Sequence, residues 1–309
     1  MVADQRRQAR PRSPAAAFPY DGPVFDGHVH AAGAFSRPEG LLAGLDLGAW
    51  GRPVARAVLL ASPLPGPWAR YVPAVWHRTV GTWGLGKHLS WSLIGIGRLA
   101  RLPPDNELVA RLVAAAPTRL VGYAFIDARV DDPLPLAQHW VEARGFGGLK
   151  LHLWMHRARL LSGGVQQLAE YAARRRLPVL LHVGLEADCA RALDTLAALH
   201  PDAAFIIAHL NEDAVDVAAR RDNVFLDTSG LCMTPRHLQR ALRRAGAGKL
   251  IFGSDSPAET GGDLRYSLRL LAQANLPERD LERICWGNLS ALLTESHPPQ
   301  VAAPSVGVG

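Results

Sequence analysis

Two histidines one residue apart, His28 and His30, lie in the run FDGHVH, which otherwise has the character of a buried strand. Side chains at positions i and i+2 of a strand project from the same face, so both imidazoles point one way and Val29 points the other. Neutral imidazoles side by side are suitable ligands for a divalent metal such as zinc. Two histidines at a strand end can also be ordinary hydrogen-bonded polar residues. The rest of the chain has to decide between this interpretation and a metal site.

Further ionisable residues interrupt apolar runs along the chain. Each of them lies at or near the end of a predicted strand: Lys150, His152, His182, His209, Asp227 and Asp255. Burying this many ionisable groups is costly unless they pair with one another or bind a metal ion. If the strands are parallel neighbours in one sheet, their ends meet, and the pattern predicts a shared site.

Short apolar runs alternate with amphipathic helical patterns over most of the chain. The predicted strands cover 23–29, 55–62, 119–127, 146–153, 177–184, 203–210, 223–230 and 249–257. Such alternation is typical of βαβ units with a parallel sheet. Eight units in 309 residues predict a protein of the α/β class with a (β/α)8 TIM barrel. An open doubly wound sheet is the alternative, but no glycine-rich fingerprint follows the first strand.

The chain divides into one domain with three atypical segments. Residues 1–21 form a basic, proline-broken leader that is predicted to be disordered, residues 22–295 form the barrel domain, and residues 296–309 form a flexible tail. A tryptophan-rich insertion at 63–104 follows the second strand and is predicted to be a lid, because such insertions lie over the active-site end of a barrel. An apolar patch packed on the barrel and a surface helix that contacts a membrane or partner are the alternatives.

Composition limits the classes of partner. The formal net charge is +6, but residues 1–18 contribute +3 of it, and no nucleic-acid-binding motif is present. No apolar run is long enough for a transmembrane helix, and the three cysteines are too far apart for a CxxC site. We therefore expect a small-molecule substrate, no nucleic-acid partner, no transmembrane segment and a cytoplasmic location. A homodimer is left open.

Several motifs together resemble the amidohydrolase superfamily, and within it the amidohydrolase-2 branch. The matching stretches are FDGHVH, GFGGLKLHL, PVLLHVG, IIAHL, NVFLDTSG, FGSDSP and ICWGNLSALL. The resemblance covers roughly residues 22 to 295. It departs from the pattern after the sixth strand, with AHLNED, and after the eighth, with SPAE where several decarboxylases have an aromatic residue and a histidine.

The resemblance implies a role for each matching residue. His28, His30, His182 and Asp255 would bind one divalent metal ion, expected to be Zn²⁺. Asp255 would also take a proton from the attacking water, and His209 would be a further catalytic acid or base. The implied activity is hydrolysis of an amide, ester or lactone in a small molecule. The alternative is non-oxidative decarboxylation, or another lyase reaction, of a small carboxylic acid on the same metal site.

Lys150 and His152 share one face of the fourth strand. Only three of the 34 basic Lys and Arg residues are lysines, so a lysine inside an apolar strand is unusual for this chain. The resemblance allows Lys150 to bind a substrate carboxylate, or to bridge two metal ions after carboxylation. An ion pair with Asp227 or Asp255 is the structural alternative. His152 either contacts the substrate or holds a water molecule.

Overall fold

The structure is a computed structural model that describes residues 18–49, 51–62, 103–183, 186–230, 233–257 and 262–296. The predicted lid at 63–104 lies outside the described residues except for its last two positions, and so do most of the leader and nearly all of the tail. Phe18 and Tyr20, at the end of the predicted leader, are buried in the main apolar core. The folded part of the chain therefore includes residues before position 22.

Eight parallel strands form one sheet in which each strand pairs with the next along the chain. They are β1 Val24–Ala31, β2 Val54–Ala61, β3 Leu120–Phe125, β4 Gly148–His152, β5 Pro178–His182, β6 Ala204–Ile207, β7 Val224–Asp227 and β8 Leu250–Ile251. Backbone hydrogen bonds from β1 to the segment at and beyond the end of β8 bring the two edges together: Gly27 N–H to Phe252 O, and His30 N–H to Ser256 O. The predicted TIM barrel is confirmed.

Helices alternate with the strands. In the described residues they are α1 Pro38–Leu47, α2 Asn106–Ala115, α3 Leu134–Gln138, α4 Leu153–His156, α5 Gly163–Arg175, α6 Cys189–Leu199, α7 Glu212–Ala218, α8 Pro235–Arg244, α9 Leu264–Gln273, α10 Glu278–Glu282 and α11 Asn288–Ser296. Side chains of Asp105, Asn211, Thr234 and Asp263 accept hydrogen bonds from first-turn N–H groups and so fix where four helices begin. None of these helices has the length and apolar character needed to cross a bilayer.

Alternate residues of the strands pack into two different apolar clusters. Leu149 and Leu151 of β4 belong to the large cluster that the surrounding helices share. Leu180 of β5 belongs to the smaller cluster, which also contains Leu289 of α11. Because side chains alternate along a barrel strand, Lys150 lies on the interior face together with His152. The fold therefore aims the polar residues of the strands into the barrel.

Candidate metal centre

Three atoms that could bind a metal ion converge where β1 meets the segment after β8. His28 Nε2 lies 3.2 Å from His30 Nε2. Asp255 Oδ1 lies 3.4 Å from the first nitrogen and 3.2 Å from the second. All three side chains are buried, and they form the one group of possible metal ligands found among the described residues. Val29 packs into the large apolar cluster that the surrounding helices share, on the opposite side of the strand. The two histidines therefore share a face, as their spacing predicts.

The tautomers of both histidines follow from their other ring nitrogens. His30 Nδ1 lies 2.9 Å from the carbonyl oxygen of Ala61, which only accepts, so this nitrogen carries the proton. His28 Nδ1 lies 2.5 Å from a carboxylate oxygen of Asp227 and donates to it in the same way. Both Nε2 atoms then present lone pairs to each other and to Asp255. The two Nε2 atoms and the Asp255 oxygen are then three acceptors with no proton between them, an arrangement that suits a bound cation. Metal-binding histidines typically donate their other ring N–H to a carboxylate or a backbone carbonyl, as His28 and His30 do here.

The backbone that presents these ligands is fixed by main-chain contacts. Asp26 Oδ1 accepts hydrogen bonds from His28 N–H at 3.0 Å and from Ser254 N–H at 2.9 Å. Asp255 N–H donates to His28 O at 2.8 Å, and Asp255 has a positive φ of 58°. Aspartate is among the residues that adopt this left-handed conformation most readily, and strained backbone of this kind clusters at functional sites.

The charges in the centre favour neutral imidazole and ionised carboxylate. Burial, with the nearby ammonium of Lys150, lowers the pKa of His28 well below its ordinary value. Burial acts to raise the pKa of Asp255, but the neighbouring imidazoles, His28 foremost, bring it below its ordinary value. These are the protonation states that a metal ion requires of its ligands.

A row of imidazoles continues from this centre across the barrel. The ring centroids of His28 and His209 are 5.5 Å apart, and His209 Nε2 lies 3.2 Å from His182 Nδ1. His182 in turn stacks on His152 with centroids 3.9 Å apart. Of the four predicted ligands, the structure therefore brings together His28, His30 and Asp255, whereas His182 lies one ring further along, beyond His209. His182 as a ligand stays a prediction.

Lys150 is fully buried inside the barrel. Burial lowers the pKa of its ammonium to about 8, while the charges of Asp255 and Asp227 act in the opposite direction. Within the described part of the chain its Nζ forms no hydrogen bond or ion pair, so the structural alternative of a direct pair with either carboxylate is not formed. An ammonium group inside the barrel is suited to an anionic group of a substrate.

His152 has a structural contact that its spacing does not reveal. Its Nδ1 accepts a hydrogen bond from Met155 N–H at 3.2 Å, which caps α4. This nitrogen is therefore unprotonated, and Nε2 carries the proton of the neutral ring. Burial, with the charge of Lys150, lowers the pKa of His152 well below its ordinary value. The ring can still present Nε2–H to a bound molecule.

Comparison with known proteins identifies the family and supports the fold. The sequence profile of the amidohydrolase family matches residues 100–293, more than half of the chain. The chain belongs to the amidohydrolase family. The match includes Lys150, His182, His209 and Asp255 but begins after His28 and His30, so it gives no support for the first two residues as ligands. No curated protein sequence matches the chain.

Solved structures of similar fold are distant in sequence. An uncharacterised TIM-barrel protein from Bordetella bronchiseptica has a TM-score of 0.61 and 16% identity, over 88% of this chain and 99% of that chain. A 2,6-dihydroxybenzoate decarboxylase from Rhizobium has a TM-score of 0.59 and 14% identity, over 89% and 99%. A dihydroxybenzoic acid decarboxylase from Polaromonas sp. JS666, with bound manganese and 2-nitroresorcinol, has a TM-score of 0.50 and 19% identity, over 65% and 76%. At these identities the similarity establishes the fold.

Two residues of the family motif NVFLDTSG have contacts in the site that the sequence does not assign. The sequence places Asp227 in the predicted shared site and offers Lys150 as its ion-pair partner, whereas in the structure its carboxylate accepts a hydrogen bond from His28 Nδ1. Ser229 is not singled out at all, yet its Oγ lies 3.1 Å from Nδ1 of both His28 and His209. The sequence feature that could have pointed to Ser229 is the group of polar residues at the end of the apolar run of β7.

Asp227→Ala is expected to weaken metal binding while the barrel remains folded. Without the carboxylate, the His28 ring loses the partner that fixes its tautomer, and loss of such outer partners costs about 10–100-fold in metal affinity. Titration of the metal-free protein with Zn²⁺ against a chelator of known affinity measures the change. An unchanged dissociation constant would mean that Asp227 does not orient a ligand.

Proposed function

We propose that this protein is a metal-dependent hydrolase that cleaves an amide, ester or lactone bond in a small molecule. One observation carries the proposal: the Nε2 lone pairs of His28 and His30 converge with a carboxylate oxygen of Asp255. The ring protons are on the other nitrogens, which donate to Asp227 and to the Ala61 carbonyl. His28, His30 and Asp255 would hold the metal, and His182 is the proposed fourth ligand. Family membership supports the proposed class of activity.

The side chains around this centre supply the proton transfers. When bound, the metal acts as a Lewis acid and lowers the pKa of a water molecule. Asp255 is ionised and lies among the ligand nitrogens, so its carboxylate accepts the proton of the attacking water. His209 is half-buried beside His28 and donates a proton to the leaving group. Asp255 and His209 both lie next to His28, so the proposed base and the proposed acid border the same site.

We propose one Zn²⁺ per chain. Two or three histidines with one carboxylate form a ligand set that suits zinc and leaves a position for water. The manganese in the Polaromonas decarboxylase makes Mn²⁺ the first other ion to test. A second metal ion would require carboxylation of Lys150, which a mass increase of the intact protein by one carbon dioxide would reveal.

A non-oxidative decarboxylase is the second candidate, and Lys150 is the observation that favours it. A buried ammonium with no partner among the described residues is suited to a substrate carboxylate beside the metal centre. Because decarboxylases of dihydroxybenzoic acids have a similar fold, small aromatic acids are the first carboxylates to test. In this reaction Lys150 would orient the carboxylate and His209 would deliver the proton that replaces it.

One experiment separates the two reactions. The purified protein, loaded with Zn²⁺ or Mn²⁺, is incubated with a panel of esters, lactones, amides and aromatic acids. Hydrolysis consumes one water and releases a carboxylic acid, together with an alcohol or an amine when the substrate is an open-chain ester or amide, whereas decarboxylation releases one carbon dioxide per turnover. We expect hydrolysis. Carbon dioxide release alone would replace the first proposal with the second, and no turnover of any class by metal-loaded protein would contradict both.

Lys150→Met is expected to impair substrates that carry a carboxylate. Methionine fills the same space without the charge, and a hydrogen bond to a charged group is worth about 1.5–3 kcal/mol, or roughly 10–100-fold in KM. An uncharged ester or lactone serves as the matched control and is expected to keep its KM. Equal effects on both classes of substrate would contradict carboxylate binding by Lys150.

A further inference from the structure

Lys150 is the one lysine or arginine that is fully buried among the residues that the structure describes. Only 1% of it is exposed, and it lies in the middle of β4 with its side chain inside the barrel. The other two lysines of the chain are Lys87 and Lys249, and every other basic side chain of this kind is an arginine. Arginine stays protonated in proteins, whereas a lysine amine can lose its proton and become a nucleophile.

The immediate surroundings of the Lys150 side chain are apolar. Its partners in the sheet register are Phe125 on β3 and Leu180 on β5, which are both buried. Residue 148, which precedes it on the same face of β4, is a glycine. In the described part of the chain the Nζ atom has no hydrogen bond and no ion pair. Because a buried charge without a partner is unfavourable, these surroundings favour the neutral amine.

The carboxylates whose charges act on this amine, those of Asp255 and Asp227, face other groups. Asp227 accepts hydrogen bonds from His28 Nδ1 through one oxygen and from the backbone N–H of Ser229 through the other. Asp255 directs an oxygen at the two histidines of β1. Burial lowers the pKa of Lys150 to about 8 against the effect of these charges. More of the amine is therefore neutral at mildly alkaline pH than in an exposed lysine.

We propose that Nζ of Lys150 is a nucleophile that forms an imine with a small aldehyde or 2-oxo acid. The neutral nitrogen attacks the carbonyl carbon and gives a carbinolamine. Both amine protons then leave with the former carbonyl oxygen as one water molecule, and a carbon–nitrogen double bond remains. No oxidant or reductant takes part. A lysine in an apolar environment, or beside a second cation, is a typical nucleophile of this kind.

The burial of Lys150 restricts the carbonyl compound to a small one. The imine is also distinct from the roles considered above. In the proposed hydrolase, Asp255 and His209 transfer the protons and Lys150 takes no part in the reaction. In the decarboxylase, the ammonium of Lys150 pairs with a carboxylate and forms no covalent bond. The inference therefore does not rest on the proposed function.

The test is reductive trapping of the metal-loaded, full-length protein at mildly alkaline pH. Glyoxylate is the charged probe and acetaldehyde is the uncharged one. Cyanoborohydride reduces an imine but not a free aldehyde, so each imine becomes a stable alkylated lysine. Peptide mass spectrometry then assigns the adduct to Lys87, Lys150 or Lys249. Glycolate, which resembles glyoxylate but has no aldehyde, is the control and is expected to leave all three lysines unmodified.

We expect the adduct at Lys150 to approach a plateau as the concentration of at least one probe rises, because an enclosed site saturates. At low concentration we expect it to form at least about tenfold faster than at Lys249, whose ammonium donates to the carbonyl oxygens of Arg221 and Asp222. Lys249→Arg is the matched control variant and should keep the adduct at Lys150. Lys150→Met should lose the saturable adduct and keep the one at Lys249.

The wild-type result decides the inference even if a variant does not fold. No adduct at Lys150 with either probe would overturn it. An adduct that rises linearly with concentration, in parallel with Lys249, would also overturn it. Turnover is measured on the same preparation. A saturable adduct in protein that turns over no ester, lactone, amide or acid leaves the imine in place and removes the proposed function. Hydrolysis by protein that forms no adduct does the reverse.

Discussion

Asp255→Asn is expected to lose bound metal and turnover together. Asparagine has nearly the same shape but no charge, so it offers a weaker ligand beside His28 and His30 and cannot take a proton from water. We expect metal affinity to fall by more than the roughly 10–100-fold that loss of an outer partner costs. We expect kcat/KM to fall by at least about 10²–10⁴-fold, the usual contribution of a general acid or base.

The fold should survive this substitution. Asparagine is, like aspartate, among the residues that adopt a positive φ most readily, and the backbone N–H of residue 255 still donates to His28 O. Asp216→Asn on α7 is the matched control, because its carboxylate is exposed and pairs with Arg240 and Arg244 away from the barrel interior. Full metal content and turnover in Asp255→Asn would show that the ligand assignment is wrong.

His209→Asn is expected to keep its metal and lose its rate. The side chain lies beside His28 but is not one of the three converging ligands, so metal content should stay close to that of wild type. Loss of a general acid should lower kcat by about 10²–10⁴-fold. Asparagine is chosen because residue 209 has a φ of 65°, which asparagine tolerates better than alanine.

Metal analysis and kinetics on the same preparation distinguish the possible outcomes for His209. His237→Asn is the control, since this histidine lies on α8 and, among the residues that the structure describes, has an ion-pair contact only with Glu212. An unchanged kcat in His209→Asn would make His209 a structural residue. Loss of metal together with rate would place His209 among the ligands and contradict its role as an acid.

The fold was predictable because its signal is repeated. Each strand is a nearly continuous apolar run that is buried on both faces, and eight such runs with helices between them leave few other arrangements. The exact ends were not predictable. The run at 249–257 forms a strand only at Leu250–Ile251, and His209 lies in a turn beyond the end of β6. The hydrophobic pattern of a segment does not show at which residue strand pairing ends.

The site was predictable in its residue types but not in its contacts. The spacing of His28 and His30 fixes their shared face, and Asp255 joins them through the closing of the barrel. Whether His182 or His209 lies next to His28 depends on ring rotations that a sequence does not contain. The contacts of the Ser229 hydroxyl with His28 and His209 join segments that are distant in the sequence.

The most direct test of the metal centre is elemental analysis of the purified protein, with the number of metal atoms per chain measured for wild type and for His30→Ala. His30 is the sharper probe because it lies outside the part of the chain that the family profile matches. We expect about one zinc per wild-type chain and a clear loss in His30→Ala, with the barrel still folded. No metal in wild-type protein after growth with added zinc and manganese, or equal metal in both proteins, would contradict it.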